Sequence, residues 1–218
     1  MRHGYLLSTL LLVAATAHAG VIINGTRLVY QGDKKESSLG LSNPDTTDYL
    51  VQSWVDSGGK NRAKAPFLIT PPLFRLDAKE DNVLRVVRTG GNLPEDRESL
   101  YWLNIKAIPS SKHVEGMNTL QIAINTRIKL LYRPTSVKGK PEDVANKLEW
   151  HREGNDLVVN NPTPFYMNFQ KVTLNGHKVD KATWAVPKTE THFALPDNAS
   201  GSTVTYSIIT DYGSISKT

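Results

Sequence analysis

The segment from Asn118 to Pro134, NTLQIAINTRIKLLYRP, constrains the fold more than any other part of the chain. Its even positions form one apolar row at period two, the spacing that places side chains on one face of a β-strand. The row consists of Leu120, Ile122, Ile124, Thr126, Ile128, Leu130 and Tyr132. Such a strand would run roughly 40 Å at about 3.3 Å per residue, whereas a usual strand has about five or six residues. A single small β-sandwich is too short to cover the whole row, so part of it needs another partner.

The first 19 residues have the features of a secretory signal peptide. Arg2 precedes an apolar run from Tyr5 to Ala15, and the small residues Ala17 and Ala19 form an A-x-A site. We therefore expect cleavage after Ala19 and a mature chain that starts at Gly20. The apolar run is too short to span a bilayer, and no second long run follows it. We expect an exported protein that does not insert into the membrane.

Charge and cysteine content narrow the classes of partner. The formal net charge is +5, and the basic residues are dispersed except around Arg127, Lys129 and Arg133. The sequence has no basic patch interleaved with aromatic residues, so nucleic acid is not the expected partner; an acidic peptide or a carboxylate fits better. The absence of cysteine excludes disulfides, thiol catalysis and cysteine-based zinc sites.

Strand-like runs lie on both sides of a connector rich in Pro, Gly and Lys. Short stretches of Val, Ile, Tyr and Trp recur between turn clusters before the connector and predict an antiparallel sandwich of about seven strands. A second series begins at LEWHR, after the connector's one predicted helical turn, PEDVANK. We therefore predict an all-β chain with a first domain over residues 20–140 and a second over residues 141–218.

No catalytic or metal-binding constellation stands out. The histidines after the leader are scattered without metal-ligand spacing, and the HExxH, GxSxG and P-loop patterns are absent. We expect no enzymatic activity, no metal and no cofactor. Arg27 is unusual because it is a cation in the otherwise apolar first strand, NGTRLVY. An unpaired charge in such a strand costs stability unless an anion meets it.

Seven motifs, in order along the chain, resemble the periplasmic pilus chaperones of the chaperone–usher pathway. They are TRLVY (26–30), SN (42–43), TPPLFRL (70–76), LPEDRESLYWLNIKAIP (93–109), IKLLYRP (128–134), NPTPFY (161–166) and TDYG (210–213). The motifs are most similar to those of the type 1 pilus branch. The short segment 107–118 indicates the short-loop branch. The resemblance implies two immunoglobulin-like β-sandwiches set at an angle as a boomerang, with the binding cleft between them.

The resemblance assigns the excess length of the long strand to binding. Leu120, Ile122 and Ile124 match the family's donor strand, which fills the groove of a pilin (fimbrial) subunit that lacks its last strand. The second half of the row then stays in the chaperone's own core. Arg27 and Lys129 match the cleft pair that holds the C-terminal carboxylate of the subunit.

Two further groups of residues carry over from the family. One matches a buried ion network between the domains, to which we assign the role of holding the domain angle: Glu98, Arg133 and Asp211. The other matches a surface that docks on the outer-membrane usher: Thr70, Pro72 and Ile108. A TPP sequence is also an ordinary turn at a strand edge, so the usher assignment is the weaker of the two.

Two alternatives stay open at this point. An exported immunoglobulin-like adhesion or carbohydrate-binding module would present exposed aromatic residues, and Trp102 or Trp150 could serve. Against this, Trp54 and Trp102 sit inside strand patterns, which favours core packing for both. A periplasmic hydrolase is the second alternative, although the sequence offers no nucleophile for it. Separately, a long apolar edge favours self-association, so we expect that a dimer can cap this edge in the free protein.

Overall fold

The computed structural model describes residues 20–59, 64–111, 120–196 and 199–217. The predicted leader, residues 1–19, lies outside these ranges, as do residues 112–118 of the segment that indicates the short-loop branch. Among the residues described, no helix is long and apolar enough to cross a membrane.

The first half of the chain forms a sandwich of two sheets. Its strands are β1 Ile22–Ile23, β2 Arg27–Gln31, β3 Ser37–Ser42, β4 Tyr49–Asp56, β5 Phe67–Thr70, β6 Leu73–Leu76, β7 Asp81–Arg88, β8 Ser99–Pro109 and β9 Ile124–Arg133. One sheet has the order β1-β3-β7-β5, and the other has the order β2-β9-β8-β4-β6. All pairs are antiparallel except β2 and β9, which run parallel. The parallel pair places β2 beside the second half of the long apolar row.

Alternation along the strands builds the core of this sandwich. Leu103 and Ile105 of β8 are buried, and so are the three residues that end the long apolar row, Ile128, Leu130 and Tyr132. The prediction that this half of the row packs inside the chain's own core is therefore confirmed.

The expectation that Trp54 and Trp102 pack in the core is wrong. Both are only half-buried, and neither joins the buried cluster. Trp102 precedes the buried residue Leu103 on β8, and adjacent strand positions point to opposite faces. The strand pattern identified the element correctly, but it did not tell which face looks inward.

The second half of the chain forms another sandwich. It begins with a helical turn, α1 Pro141–Val144, continued by a 3-10 turn over Ala145–Lys147, so the predicted turn in PEDVANK is present. Its strands are β10 Glu149–Glu153, β11 Asp156–Asn161, β12 Met167–Leu174, β13 His177–Lys178, β14 Trp184–Ala185, β15 Thr189–Ala194, β16 Val204–Ile209 and β17 Ile215–Lys217. One sheet is β10-β11-β15, and the other is β13-β12-β16-β17 with β14 also paired to β12.

The second sandwich has its own core. An aromatic group of Trp150, Phe169, Phe193 and Tyr206 packs with ring centroids 5.3–6.4 Å apart. Val137, from the connector, is buried in the same cluster. Two separate buried clusters confirm the predicted all-β architecture of two sandwiches, while the exact division at 140/141 stays a prediction.

Candidate functional site

The long strand has an open edge beside exposed apolar side chains. β9 pairs with β8 from Ile124 onward, but it pairs with β2 only from Lys129 onward. In the described part of the chain, residues 120–123 precede the strand without a pairing partner. The strand thus begins at Ile124 rather than at Leu120, because the earlier backbone has no neighbouring strand to bond. Leu120, Ile122 and Ile124 remain 87%, 65% and 50% exposed.

Two cations lie side by side where the open edge of β9 ends and its pairing with β2 begins. Arg27 and Lys129 are register partners in the parallel pair of β2 and β9, so both side chains leave the sheet on the same face. Nη1 of Arg27 donates to the Ile209 carbonyl oxygen of the second sandwich at 3.3 Å. Its Nε is buried and has no hydrogen-bond partner among the described residues. Burial lowers the pKa of Arg27, although the nearby Asp211 carboxylate opposes this.

Lys129 reaches across to the second sandwich. Its ammonium lies 4.3 Å from the centre of the Trp184 ring and donates to Oδ1 of Asn168. Asn168 and Trp184 face each other directly across the β12–β14 pair, so one cross-strand pair holds the ammonium. Burial, together with repulsion from Arg27, lowers the pKa of Lys129 to about 8. The two cations form a partly desolvated site with capacity for an anion.

Arg127 lies two residues before Lys129 but is already neutralised. Its Nη2 is 3.0 Å from Oδ1 of the buried Asp56, and its guanidinium lies 4.3 Å from the centre of the Trp102 ring. Burial acts to raise the pKa of Asp56, but hydrogen bonds from the Gly58 amide, Arg127 and Asn104 outweigh it and lower that pKa overall. Arg127 is therefore not equivalent to the cation pair, although the sequence grouped them.

An ion network joins the two sandwiches. Arg133 is 4% exposed; its Nη1 and Nη2 each donate to one oxygen of Asp211 at 2.8 Å, and its Nε donates to Oε1 of Glu98 at 2.8 Å. The other Glu98 oxygen accepts from the Tyr166 amide at 2.8 Å. Burial acts to lower the pKa of Arg133, but bonds to Asp211 and Glu98 outweigh it and raise that pKa. The structure thus brings together the three residues that the sequence matched to a network.

Comparison with known proteins decides the family. Residues 20–138 match the family of pili and flagellar-assembly chaperones, PapD N-terminal domain, and residues 143–218 match the pili assembly chaperone PapD, C-terminal domain. The chain belongs to the pilus-assembly chaperone family. The resemblance read from the seven motifs is confirmed.

Relatives of this pilus chaperone match along almost their whole length. The chaperone protein LpfB of Salmonella typhimurium is 45% identical over 209 residues, which is 94% of this chain and 90% of the relative. The chaperone protein FimC of Escherichia coli K12 is 41% identical over 217 residues, which is 97% of this chain and 88% of the relative.

Solved structures share the fold of this pilus chaperone. The Salmonella enterica SafB chaperone, solved in complex with the SafA pilin, superposes with a TM-score of 0.83 at 41% identity and covers 93% of this chain and 95% of its own. The E. coli chaperone DraB has a TM-score of 0.81 at 41% identity, with 91% of this chain and 93% of its own covered.

The residues matched to the usher surface are spread over the first sandwich of this pilus chaperone. Thr70 ends β5, Pro72 lies in the following turn, and Ile108 lies on β8 opposite Leu50. Thr70 and Pro72 are exposed, while Ile108 is half-buried. They belong to both sheets of the sandwich, and their shared role stays a prediction.

Sequence reasoning missed the second-domain side of the cleft. Asn168 and Trp184 hold Lys129, and Trp184 also meets Trp102 edge-on with centroids 6.2 Å apart. Neither residue lies in a motif that marked the family. Their role depends on the pairing of β12 with β14 and on how the two sandwiches pack. Neither feature can be predicted from a local sequence pattern.

Proposed function

We propose that this chain is a non-enzymatic periplasmic chaperone that stabilises pilin subunits by donor-strand complementation and delivers them to the outer-membrane usher. Donor-strand complementation is the known recognition mode of chaperone–pilin complexes. The observation that carries the proposal here is the open edge of β9, which ends at the cation pair of Arg27 and Lys129.

The exposed row supplies the bulk of the binding free energy. The exposed fractions of Leu120, Ile122 and Ile124 add up to about two whole side chains. Covering them with a subunit's groove yields ~3–6 kcal/mol at about 1.5–3 kcal/mol per side chain. Main-chain hydrogen bonds between the open edge and the subunit add direction to this contact.

The cation pair sets the register. A two-residue slip leaves the same face of the donor strand toward the subunit, so apolar burial discriminates weakly between registers. A C-terminal carboxylate between Arg27 and Lys129 would satisfy the buried Arg27 Nε and compensate two partly desolvated charges. Hydrogen bonds to charged groups are worth about 1.5–3 kcal/mol each, enough to fix one register.

The ion network supports this function by fixing how the sandwiches meet. Arg133 lies on β9, four residues after Lys129, and binds Asp211, which follows β16. The same contact region brings Asn168 and Ile209 toward the cation pair. The network therefore holds both halves of the carboxylate site in place.

Delivery requires only that a better-fitting strand replace the donor segment. Exchange of one strand for another runs downhill without a nucleotide when the second complex is the more stable one. Docking of Thr70, Pro72 and Ile108 on the usher would bring the loaded subunit to the next subunit's strand.

The test is binding of a purified pilin subunit to paired variants. Ile122→Asp should abolish measurable complex formation, because it places a charge in the subunit's groove. Ala123→Asp is the matched control, since Ala123 is exposed and would point away from the subunit's groove once the segment forms a strand, and it should bind nearly as well as the unaltered chain. Protection of the pilin from aggregation by the Ile122→Asp variant would rule out the donor-strand assignment.

The anchor is tested with the subunit's C-terminal peptide made as a free acid and as an amide. Lys129→Met should remove the preference for the acid, whereas Lys129→Arg should retain it because the charge is kept. Equal binding of acid and amide by the unaltered chain would refute the anchor while leaving the donor strand untouched.

A further inference from the structure

Gly20, the first residue after the predicted leader, is held by a carboxylate next to the donor segment. The Gly20 nitrogen donates to Oδ2 of Asp45 at 2.9 Å, and the hydroxyl of Tyr49 donates to the same oxygen at 2.7 Å. The Asp45 amide donates to Oδ1 of the fully buried Asn43 at 3.1 Å. Asn43 is in turn fixed by bonds from its Nδ2 to main-chain oxygens of Thr47 and Asp77. The carboxylate therefore sits on a rigid support.

Gly20 also contacts the binding segment. A Cβ on Gly20 would lie 3.8 Å from Cδ1 of Ile124, so the backbone at this position runs along the donor side chain. A hollow of about 400 Å³ is lined by Gly20 and Ile23, by Ile122 and Ile124 of the donor segment, and by Tyr49 and Ile105.

We propose that removal of the leader creates an ion pair that completes this wall of the binding site. Hydrolysis adds one water across the Ala19–Gly20 peptide bond, leaving a carboxylate on Ala19 and an amine on Gly20 that takes a proton at neutral pH. The resulting ammonium pairs with Asp45 and holds β1 against Ile124. In the unprocessed chain the same nitrogen is a neutral amide. The inference rests on the proposed function for the role of Ile124, and on cleavage at Ala19.

The phenol of Tyr49 is a neutral donor to the Asp45 carboxylate. Burial, and the hydrogen bond to Asp45, raise the pKa of Tyr49 to about 12, so the phenol remains a neutral donor. Both donors bond to an ionised acceptor, but the ammonium brings a full positive charge where the amide brings only a dipole. Cleavage of the leader would thus strengthen the contact between the Gly20 nitrogen and Asp45, two groups that already lie within hydrogen-bond distance.

A client-free experiment tests the ion pair. The exported protein should have the intact mass of a chain that starts at Gly20. Its hydrogen exchange is then compared with that of a chain carrying two alanines before Gly20, of Asp45→Asn, and of both changes together. The Asn24 amide, which bonds to the Gly40 oxygen at 2.9 Å, reports opening of β1.

Each single change should speed exchange at Asn24 about fivefold, because each removes the charge attraction of one ion pair near the surface, and fivefold is the upper end of what such pairs contribute. The chain that carries both changes should also exchange about fivefold faster at Asn24, because the two changes remove the same ion pair. Tyr49→Phe is the control: it deletes the other donor, so the added alanines should still have their full effect. A different mature N-terminus, no effect of the added alanines, or multiplication of the two effects would each overturn the ion pair.

Binding of a pilin subunit tests the link to function. The added alanines should weaken binding about fivefold if the ammonium supports Ile124. Unchanged affinity, with the exchange results as expected, would overturn the link to the binding site. Failure of the unaltered chain to bind any pilin would instead count against the proposed function, and the exchange cycle would still decide the ion pair.

Discussion

Replacement of Arg133 by methionine measures what the interdomain ion network contributes. Methionine keeps much of the length of the side chain but removes the charge, leaving the buried Glu98 and the partly buried Asp211 without their cation. Breaking a buried ion pair by removing one partner costs ~3–5 kcal/mol. At about 2–4 °C per kcal/mol for a chain of this size, the midpoint of thermal unfolding should fall by ~6–20 °C.

Scanning calorimetry with a matched surface variant checks this value. Arg85 approaches Glu36 at 4.0 Å with both side chains well exposed, so Arg85→Met should cost at most about 1 kcal/mol. If the network couples the two sandwiches, Arg133→Met should also split unfolding into two transitions, one for each core.

The pH dependence gives a second check. Burial raises the pKa of Glu98, and removal of Arg133 leaves that carboxyl buried without a counter-charge. In the variant, Glu98 of the folded state keeps its proton above about pH 4.3, whereas Glu98 of the unfolded state has lost it. Stability of Arg133→Met should therefore fall as pH rises above that value, and Glu98→Gln in the same chain should remove the slope. A loss no larger than that of Arg85→Met, with a single transition, would refute the structural role of the network.

Two further predictions concern the long strand. Lys129 has a folded-state pKa of about 8, below its ordinary value of 10.5, so the unfolded state binds more protons between these two values. Stability should therefore rise with pH across that window, and the rise should be absent in Lys129→Met, as followed by denaturant midpoints. Leu130→Ala should cost ~2–5 kcal/mol because Leu130 is fully buried, whereas Leu120→Ala, at 87% exposure, should change stability by less than about 0.5 kcal/mol while weakening pilin binding.

Part of the site was predictable because it depends on local alternation. The period-two row that begins at Leu120 and continues through β9 is longer than one sandwich can bury. Its two halves differ: Leu130 and Tyr132 are buried, whereas Leu120 and Ile122 are exposed. Arg27 attracted notice because a cation in an apolar strand needs a partner. These features follow from the alternation of side chains along a strand, which a sequence displays directly.

The sequence by itself determined the all-β class, two sandwiches and the excess apolar length, since each follows from spacing along the chain. Only the tertiary structure decided that Arg27 lies beside Lys129, that Arg127 is neutralised by Asp56, and that Trp102 faces the second sandwich. It also revealed Asn168 and Trp184 around Lys129. The physical reason is that alternation fixes which residues share a face, whereas the partner of each face is set by long-range strand pairing and by packing of one sandwich against the other.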